Sequence, residues 1–248
     1  MMLKEFFIDE NITIPFKLFG KTHLFLMFFV LLFWGILFFK KKKIYQLKDK
    51  TKRGITVFFA IILLINMLVL YVSSFYYHSF DYKTMLPLHL CYISNYFYIF
   101  VILFHKKRLY QYIYFLAFLG PIPAIVFFDV PSVWESFNFY LYVISHHLLV
   151  IAGLFTFYMY PMKIKLKNIG FLIIVLNILY FIMTIFNYYF QTNYFFSEAI
   201  PEFILELFPF LKFIPIFVVL EVVEIMIMLV LYLFFKREYS LLKAQFVI

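Results

Sequence analysis

The chain has 248 residues, of which 66% are hydrophobic, 25% are aromatic and only 14% are charged, and its mean hydropathy is +0.95. This composition excludes a soluble globular domain and predicts a membrane protein. The formal net charge of +9 is carried largely by short loops beside apolar segments. It is therefore an orientation signal rather than the basic folded surface that a nucleic-acid partner requires. A single cysteine, Cys91, excludes an intrachain disulfide.

Seven apolar segments follow one another along the chain, and each is long enough to cross a hydrocarbon core of ~30 Å as a helix of about 20 residues. We expect an all-α, polytopic membrane bundle in a single transmembrane domain covering residues 1–248. The polar stretch before the first segment lacks the pattern of a cleaved signal peptide, so the N-terminus is expected to be retained. The seven spans are predicted near residues 21–40, 54–77, 84–104, 109–128, 137–161, 169–190 and 213–235.

The basic residues fall in alternate loops. Residues 40–53 include eight Lys and Arg, and the 106–108, 163–167 and C-terminal segments carry three each. Because Lys and Arg in short loops stay cytoplasmic, we predict an outside N-terminus, a cytoplasmic C-terminus, and cytoplasmic segments at 40–53, 105–108 and 162–168. The opposite loops hold the acidic residues Asp81, Asp129, Glu135, Glu198, Glu202 and Glu206.

With this topology, ionisable and thiol side chains from several spans reach similar depths. At the rise of an α-helix, His89 and Cys91 lie roughly 8 to 10 Å below the outer end of the third span. His146 and His147 lie about 14 Å down the fifth span, and Glu221 lies roughly 12 Å down the seventh. Such groups are costly inside a membrane and are normally turned into the bundle or a hydrated cavity. We therefore expect them to line one cavity that opens to the outer leaflet or outer surface.

The thiol has two neighbours of interest along its own span. Cys91 and Asn95 are four residues apart and share a helix face, whereas His89 and Cys91 point about 160° away from each other on an ideal helix. His89 is thus not the obvious base for the thiol unless Pro87 distorts the first turn. A histidine of the fifth span is the better candidate.

Each of these side chains also has a structural interpretation. A lone cysteine in a span is usually a small packing residue, and a single histidine is more often a hydrogen-bonding strut between helices than a catalyst. His89, His146 and Glu221 have the chemistry to ligate zinc. No HExxH motif or other ligand pair at i, i+4 supports that, and we predict neither a metal nor a cofactor.

Four motifs occur in order along the chain: LPLHLC in the third span, SHHLLVI in the fifth, NYYFQTNYFF after the sixth and VLEVVE in the last. Together they resemble the YwaF-like family of bacterial integral membrane proteins, over most of the chain from the first span to the seventh. The sequence departs from that pattern at Tyr92, where the family has an acid, and at His147 and Gln191, where it has glycines. Loss of the glycine at Gln191 predicts a less tightly turned loop. The family positions map onto His89, Cys91, His146, Asn187, Thr192, Asn193 and Tyr194.

YwaF-like proteins are distantly similar to eukaryotic multispan acyltransferases that remodel ether phospholipids through a cysteine-centred transfer. The resemblance implies a multi-pass protein of the bacterial cell membrane in which Cys91 is the nucleophile. We hypothesise that His146 is its general base and that Glu221 orients that imidazole. A membrane phospholipid would donate the acyl chain, and a lysolipid or a lipoprotein would accept it. The residues expected to contact substrate are His23, His89, Asn95, His147, Asn187, Thr192 and Asn193.

Two other functions stay open at this point. The first is a transporter that uses the histidines and glutamates as a proton or substrate site. Against it, the polar groups occupy the outer half of the spans only, and neither an internal repeat nor paired broken helices are apparent. The second is a non-catalytic membrane scaffold.

Overall fold

The computed structural model describes residues 16–128 and 136–246, and the regular structure in these ranges is helical. Three 3-10 turns, Lys107–Leu109, Tyr194–Phe196 and Pro209–Phe213, interrupt the α-helices. The α-helices are α1 Lys21–Tyr45, α2 Asp49–Tyr76, α3 Tyr82–Met85, α4 Leu90–Leu103, α5 Tyr110–Leu119, α6 Pro121–Val126, α7 Phe137–Met159, α8 Leu166–Phe190, α9 Glu202–Leu207 and α10 Ile216–Phe246.

Six described helical segments are long and apolar enough to cross a membrane: α1, α2, the stretch Lys107–Val126 that contains α5 and α6, α7, α8 and α10. The chain is therefore a helical, multi-pass membrane protein. Most predicted spans coincide with these helices. The chief differences are that α2 begins at Asp49 rather than near residue 54, and that α10 continues to Phe246.

The third predicted span, near 84–104, is divided in the structure. After the short α3, residues 86–89 are not helical, and α4 has 14 residues, which is below the length of the other six. Pro87 explains the break, because proline offers no backbone N–H and disfavours helical geometry at the residue before it. Leu86 accordingly has extended backbone angles, φ −62° and ψ 143°.

Some residues that support the topology prediction lie outside the described ranges. These are Asp129 and Glu135, together with the polar stretch over residues 1–15.

The chain forms two compact units. The first comprises the described residues of Met1–Phe80 and Ser94–Pro161, and the second those of Asp81–Ile93 and Met162–Ile248. Helix α4 thus begins in the second unit, which includes His89 and Cys91, and ends in the first.

Helix α7 is the centre of the first unit and packs against α1, α2, α5 and α6. Its approach to α5 is close at Gly153, where an added Cβ would lie 2.5 Å from the Ala117 Cβ and 3.2 Å from the Phe118 ring. Real Cβ atoms do not tolerate such a distance, so the glycine sets the separation of the two helices.

Arg53, at the start of α2, caps the C-terminal end of α4. Its guanidinium donates hydrogen bonds to the carbonyl oxygens of Ile102 and Leu103. Carbonyls in the last turn of a helix have no partner within that helix, so this arginine satisfies groups that a membrane interior would leave unpaired.

In the second unit, α8 and α10 are joined by side-chain contacts. Asn177 donates a hydrogen bond of 3.3 Å to Glu221, and the rings of Tyr180 and Phe217 lie 5.4 Å apart. Most of the apolar surface of α10 is exposed, which suits a helix that faces lipid.

Replacing Gly153 with Ala should destabilise the protein by about 1–3 kcal/mol, because the added methyl overpacks the contact with Ala117. The measurement is the thermal unfolding midpoint of the detergent-purified protein. Gly35→Ala is the matched control, since an added Cβ there meets nothing within 4 Å and alanine favours a helix by up to about 1 kcal/mol. Equal midpoints for the two variants would contradict the close packing of α7 on α5.

Candidate functional site

The thiol lies at the start of a helix. Helix α4 begins at Leu90, so Cys91 is in its first turn, half-buried, with Sγ beside the backbone N–H groups of Cys91 and Tyr92. The first N–H groups of a helix lack partners within the helix and favour negative charge nearby. Of the two N–H groups beside Sγ, that of Tyr92 is bonded to the His89 carbonyl.

His89 precedes the helix instead of belonging to it. The prediction that His89 points away from Cys91 applies only to a regular helix over both residues, and residues 86–89 are not helical. The carbonyl oxygen of His89 accepts the backbone N–H groups of Tyr92 and Ile93, at 3.0 and 3.1 Å. His89 therefore begins the helix on which the thiol sits.

A tyrosine from the loop after α8 holds this segment in place. The Tyr194 hydroxyl accepts the Leu86 N–H at 2.9 Å and donates to the Tyr82 carbonyl at 2.6 Å. The His89 ring packs against the rings of Tyr194 and Phe196, with centroids 4.9 and 5.5 Å apart. Tyr194, more than 100 positions later in the chain, thus bonds the backbone on the N-terminal side of Pro87 and packs its ring against His89 on the C-terminal side.

Asn187 organises that loop. Its Nδ2 donates to the Tyr194 carbonyl at 2.7 Å and to the Ser197 hydroxyl at 2.8 Å, and its Oδ1 accepts from Thr192 Oγ1 at 2.5 Å and Tyr194 N at 3.0 Å. These four bonds use the full capacity of the amide, and Asn187 is 1% exposed. Asn187 and Thr192 therefore position the loop, and the Asn187 amide has, in this arrangement, no capacity left for a substrate.

The loop is tightly turned. Gln191 ends α8 in the left-handed region, φ 54° and ψ 50°, with its N–H bonded to the Asn187 carbonyl. The prediction that the missing glycine loosens this turn is therefore wrong, because glutamine adopts the conformation that glycine would favour. Phe195 and Phe196 also have positive φ, 59° and 53°. Asn193 stabilises the following backbone by accepting the N–H groups of residues 198 and 199.

The acidic pair of α10 also lies in the second unit. Glu221 accepts a hydrogen bond from Asn177. Glu224, one turn along, carries a buried Oε1 without a hydrogen-bond partner in the part of the chain that the structure describes. Within residues 16–128 and 136–246, no three His, Cys, Asp or Glu side chains are grouped as a metal site would require.

The remaining predicted site residues belong to the first unit. His23 is fully buried, and both ring nitrogens are occupied, because Nδ1 accepts the Phe19 N–H at 2.9 Å and Nε2 donates to the Ile125 carbonyl at 2.8 Å. Its role is that of a strut between the start of α1 and the end of α6. Asn95 is also buried, and its Oδ1 has no hydrogen-bond partner among the described residues.

The two adjacent histidines of α7 differ. His146 Nδ1 lies 2.8 Å from the Tyr142 carbonyl. Since a carbonyl only accepts, Nδ1 carries the proton, and the lone pair of the neutral ring is on Nε2. His147 lies beside the carbonyls of Val143 and Leu26, but neither of its nitrogens makes a well-formed hydrogen bond to described residues.

Sequence reasoning underestimated Tyr194, which was placed in a motif but not in the candidate site. The signal was present, because Tyr194 closes the TNY part of NYYFQTNYFF. Its partners are the backbone of residues 82 and 86, which no sequence pattern identifies. The predicted set is thus distributed, with His89, Cys91, Asn187, Thr192, Asn193 and Glu221 in the second unit and His23, Asn95, His146 and His147 in the first.

Long apolar helices with polar side chains in their interior define a multi-pass membrane protein. The sequence profile of the TMEM164 family, a family of multispan membrane proteins, matches residues 18–234 of the chain. The chain therefore belongs to the TMEM164 family. No curated protein and no solved structure matches the chain.

Replacing Tyr194 with Phe should make Cys91 more accessible. The change leaves the Leu86 N–H and the Tyr82 carbonyl without their partner, at a cost of about 1–3 kcal/mol for buried groups, so the segment should open more often, about tenfold or more. Cys91 is the only cysteine, so the rate of maleimide labelling reports this opening directly.

The control for that experiment is Tyr189→Phe, which removes a hydroxyl from a side chain that is 75% exposed. Its labelling rate should equal that of the wild type. If Tyr194→Phe also labels at the wild-type rate, the loop does not hold the segment that carries the thiol.

Proposed function

We propose that this chain is a membrane-embedded acyltransferase that moves a fatty acyl chain from a phospholipid to a lysolipid or lipoprotein acceptor through a thioester on Cys91. The observation that carries the proposal is the position of the thiol. Cys91 is in the first turn of α4, with Sγ beside two backbone N–H groups, on a segment fixed by Tyr194. The resemblance to YwaF-like proteins, and through them to cysteine-centred phospholipid acyltransferases, supports the same chemistry.

The proposed reaction has two balanced steps. The thiol gives its proton to an imidazole, and the thiolate attacks the ester carbonyl of the phospholipid, so that a C–S bond forms and the ester C–O bond breaks. The imidazolium returns the proton to the departing lysophospholipid oxygen. An acceptor hydroxyl or amine then gives its proton to the imidazole and attacks the thioester. The C–S bond breaks, and the imidazolium returns the proton to the departing thiolate, which regenerates the thiol and the neutral imidazole.

The start of α4 suits the charged intermediates of both steps. Each attack places negative charge on the carbonyl oxygen, and preorganised backbone N–H groups stabilise such an oxyanion. Removing one donor of this kind typically costs about 10²–10³-fold in turnover. The Cys91 N–H next to Sγ is the proposed donor, because the Tyr92 N–H is already bonded to the His89 carbonyl.

Two histidines are candidates for the general base. His146 is the base that the sequence predicts, and its Nε2 lone pair is in the correct form to accept a proton. His89 becomes a second candidate because it precedes α4, where helical geometry no longer turns it from the thiol. Glu221 is proposed to orient the catalytic imidazole or to stabilise its positive charge once it is protonated.

The proposal includes a topology for the bacterial cell membrane. The 82–89 segment and α4 together make a third crossing, which gives seven crossings with the N-terminus outside and the C-terminus cytoplasmic. Positive charge at residues 40–53 and 105–108 supports this orientation. Cys91 would then act near the outer leaflet.

Replacing Cys91 with Ala should abolish acyl transfer in purified protein supplied with a labelled phospholipid and a lysophospholipid. The rate of acyl transfer by Cys91→Ser should also be much lower than that of the wild type, because serine is a poorer nucleophile without stronger activation. Unfolding midpoints near that of the wild type would show that both variants are folded. Normal transfer or hydrolysis by Cys91→Ala would refute the proposed role of the thiol and favour a transporter or a scaffold.

Separate substitutions of the two histidines identify the base. Loss of general-base assistance typically costs about 10²–10⁴-fold in turnover, so one of His89→Ala and His146→Ala should show that loss while remaining folded. His23→Ala should instead lower stability, because it removes a fully bonded strut. If neither His89→Ala nor His146→Ala loses more than about tenfold, neither histidine is the base.

A further inference from the structure

Cations and aromatic rings gather at one end of the first unit, where α1 and α4 end and α2 and α5 begin. Lys52 is only 7% exposed, and its Nζ lies 4.9 Å from the ring centroid of Tyr45 and 5.8 Å from that of Tyr160. Lys107 Nζ lies 5.7 Å from the same Tyr160 ring. Two ammonium groups therefore share one aromatic ring, at the end of the unit that the sequence predicts to be cytoplasmic.

The cluster is held by neighbouring backbone and side-chain contacts. Arg53 adds a third positive charge, but its guanidinium is occupied by the carbonyls of Ile102 and Leu103. The Tyr114 hydroxyl donates to the Tyr160 carbonyl and fixes the end of α7. The lysines are thus brought together by segments that are themselves anchored.

Positive charge in the cluster exceeds negative charge. Asp49 is the carboxylate whose charge acts on Lys52, while Lys107 repels it. The Tyr160 phenol is uncharged at neutral pH, as tyrosine side chains ordinarily are. Within the described residues, neither lysine Nζ makes a hydrogen bond or an ion pair. The stem of Lys52 is therefore buried, while its ammonium group has no hydrogen-bonded or ion-paired partner among the described residues.

We infer that Lys52 and Lys107 bind the phosphate group of an anionic phospholipid of the cytoplasmic leaflet. Lysine is a compact point charge that suits phosphate oxygens, and basic pockets between transmembrane helices on the cytoplasmic side bind acidic headgroups. The Tyr45 and Tyr160 rings lie beside the ammonium groups. This site is independent of the Cys91 chemistry.

The test compares lipid binding by full-length variants. Phosphatidylglycerol is titrated into the protein in neutral detergent, and bound lipid is counted by native mass spectrometry with phosphatidylcholine as the reference. Lys107→Met should weaken phosphatidylglycerol binding about tenfold and leave phosphatidylcholine binding unchanged, as expected for loss of one charge-assisted contact. Lys52→Met should have a similar effect and keeps the length of the buried side chain.

Lys106→Met is the matched control, because Lys106 is adjacent in sequence to Lys107, is exposed as Lys107 is, and carries the same charge. It should bind phosphatidylglycerol as the wild type does. Equal losses in Lys106→Met and Lys107→Met, or no loss in Lys107→Met, would overturn the site. Inorganic phosphate distinguishes the two sources of the anion: if millimolar phosphate displaces phosphatidylglycerol and protects the protein alone, the site belongs to a free phosphate and the lipid assignment is wrong.

Discussion

The structure around the thiol depends on how the backbone is satisfied where Pro87 interrupts a helix. In a bilayer, a break in a helix exposes N–H and carbonyl groups that lipid is unable to bond. The Tyr194 hydroxyl satisfies two such groups immediately before Pro87, because it accepts the Leu86 N–H and donates to the Tyr82 carbonyl. The segment can then turn and restart as α4 at Leu90, with Cys91 in its first turn. The Tyr194 hydroxyl thus satisfies backbone groups of the segment that leads to Cys91 and so helps to fix the position of the thiol.

The loop that presents Tyr194 is itself strained and strongly bonded. Gln191, Phe195 and Phe196 have left-handed backbone angles, which cost of order 1–3 kcal/mol each for residues other than glycine. Four hydrogen bonds to Asn187 offset the free-energy cost of this backbone strain. Such strain persists only where the surroundings over-determine the conformation, and here it orients the aromatic rings that pack on His89.

The helical architecture could be predicted from the sequence because apolar length and charge distribution set it directly. Six spans appear as long helices, and Pro87, which the sequence marks as a possible distortion, divides the third predicted span. The hydrogen-bond partners of individual side chains were harder to predict from the sequence. Asn187 belongs to a polar motif, which favoured a substrate-binding interpretation, whereas its four bonds all lie within the loop. The left-handed Gln191 was missed for a similar reason, because bonding elsewhere in the loop overrides the local preference for glycine.

The central claim is that Cys91 carries the acyl group during turnover, and it is tested most directly on the intact protein. The purified wild type is incubated with a phospholipid of defined acyl chains and no acceptor, and its mass is measured before and after neutral hydroxylamine. The account predicts a mass increase of one acyl chain that hydroxylamine removes, and no such increase in Cys91→Ala. An unmodified wild type, or the same adduct on Cys91→Ala, would contradict it.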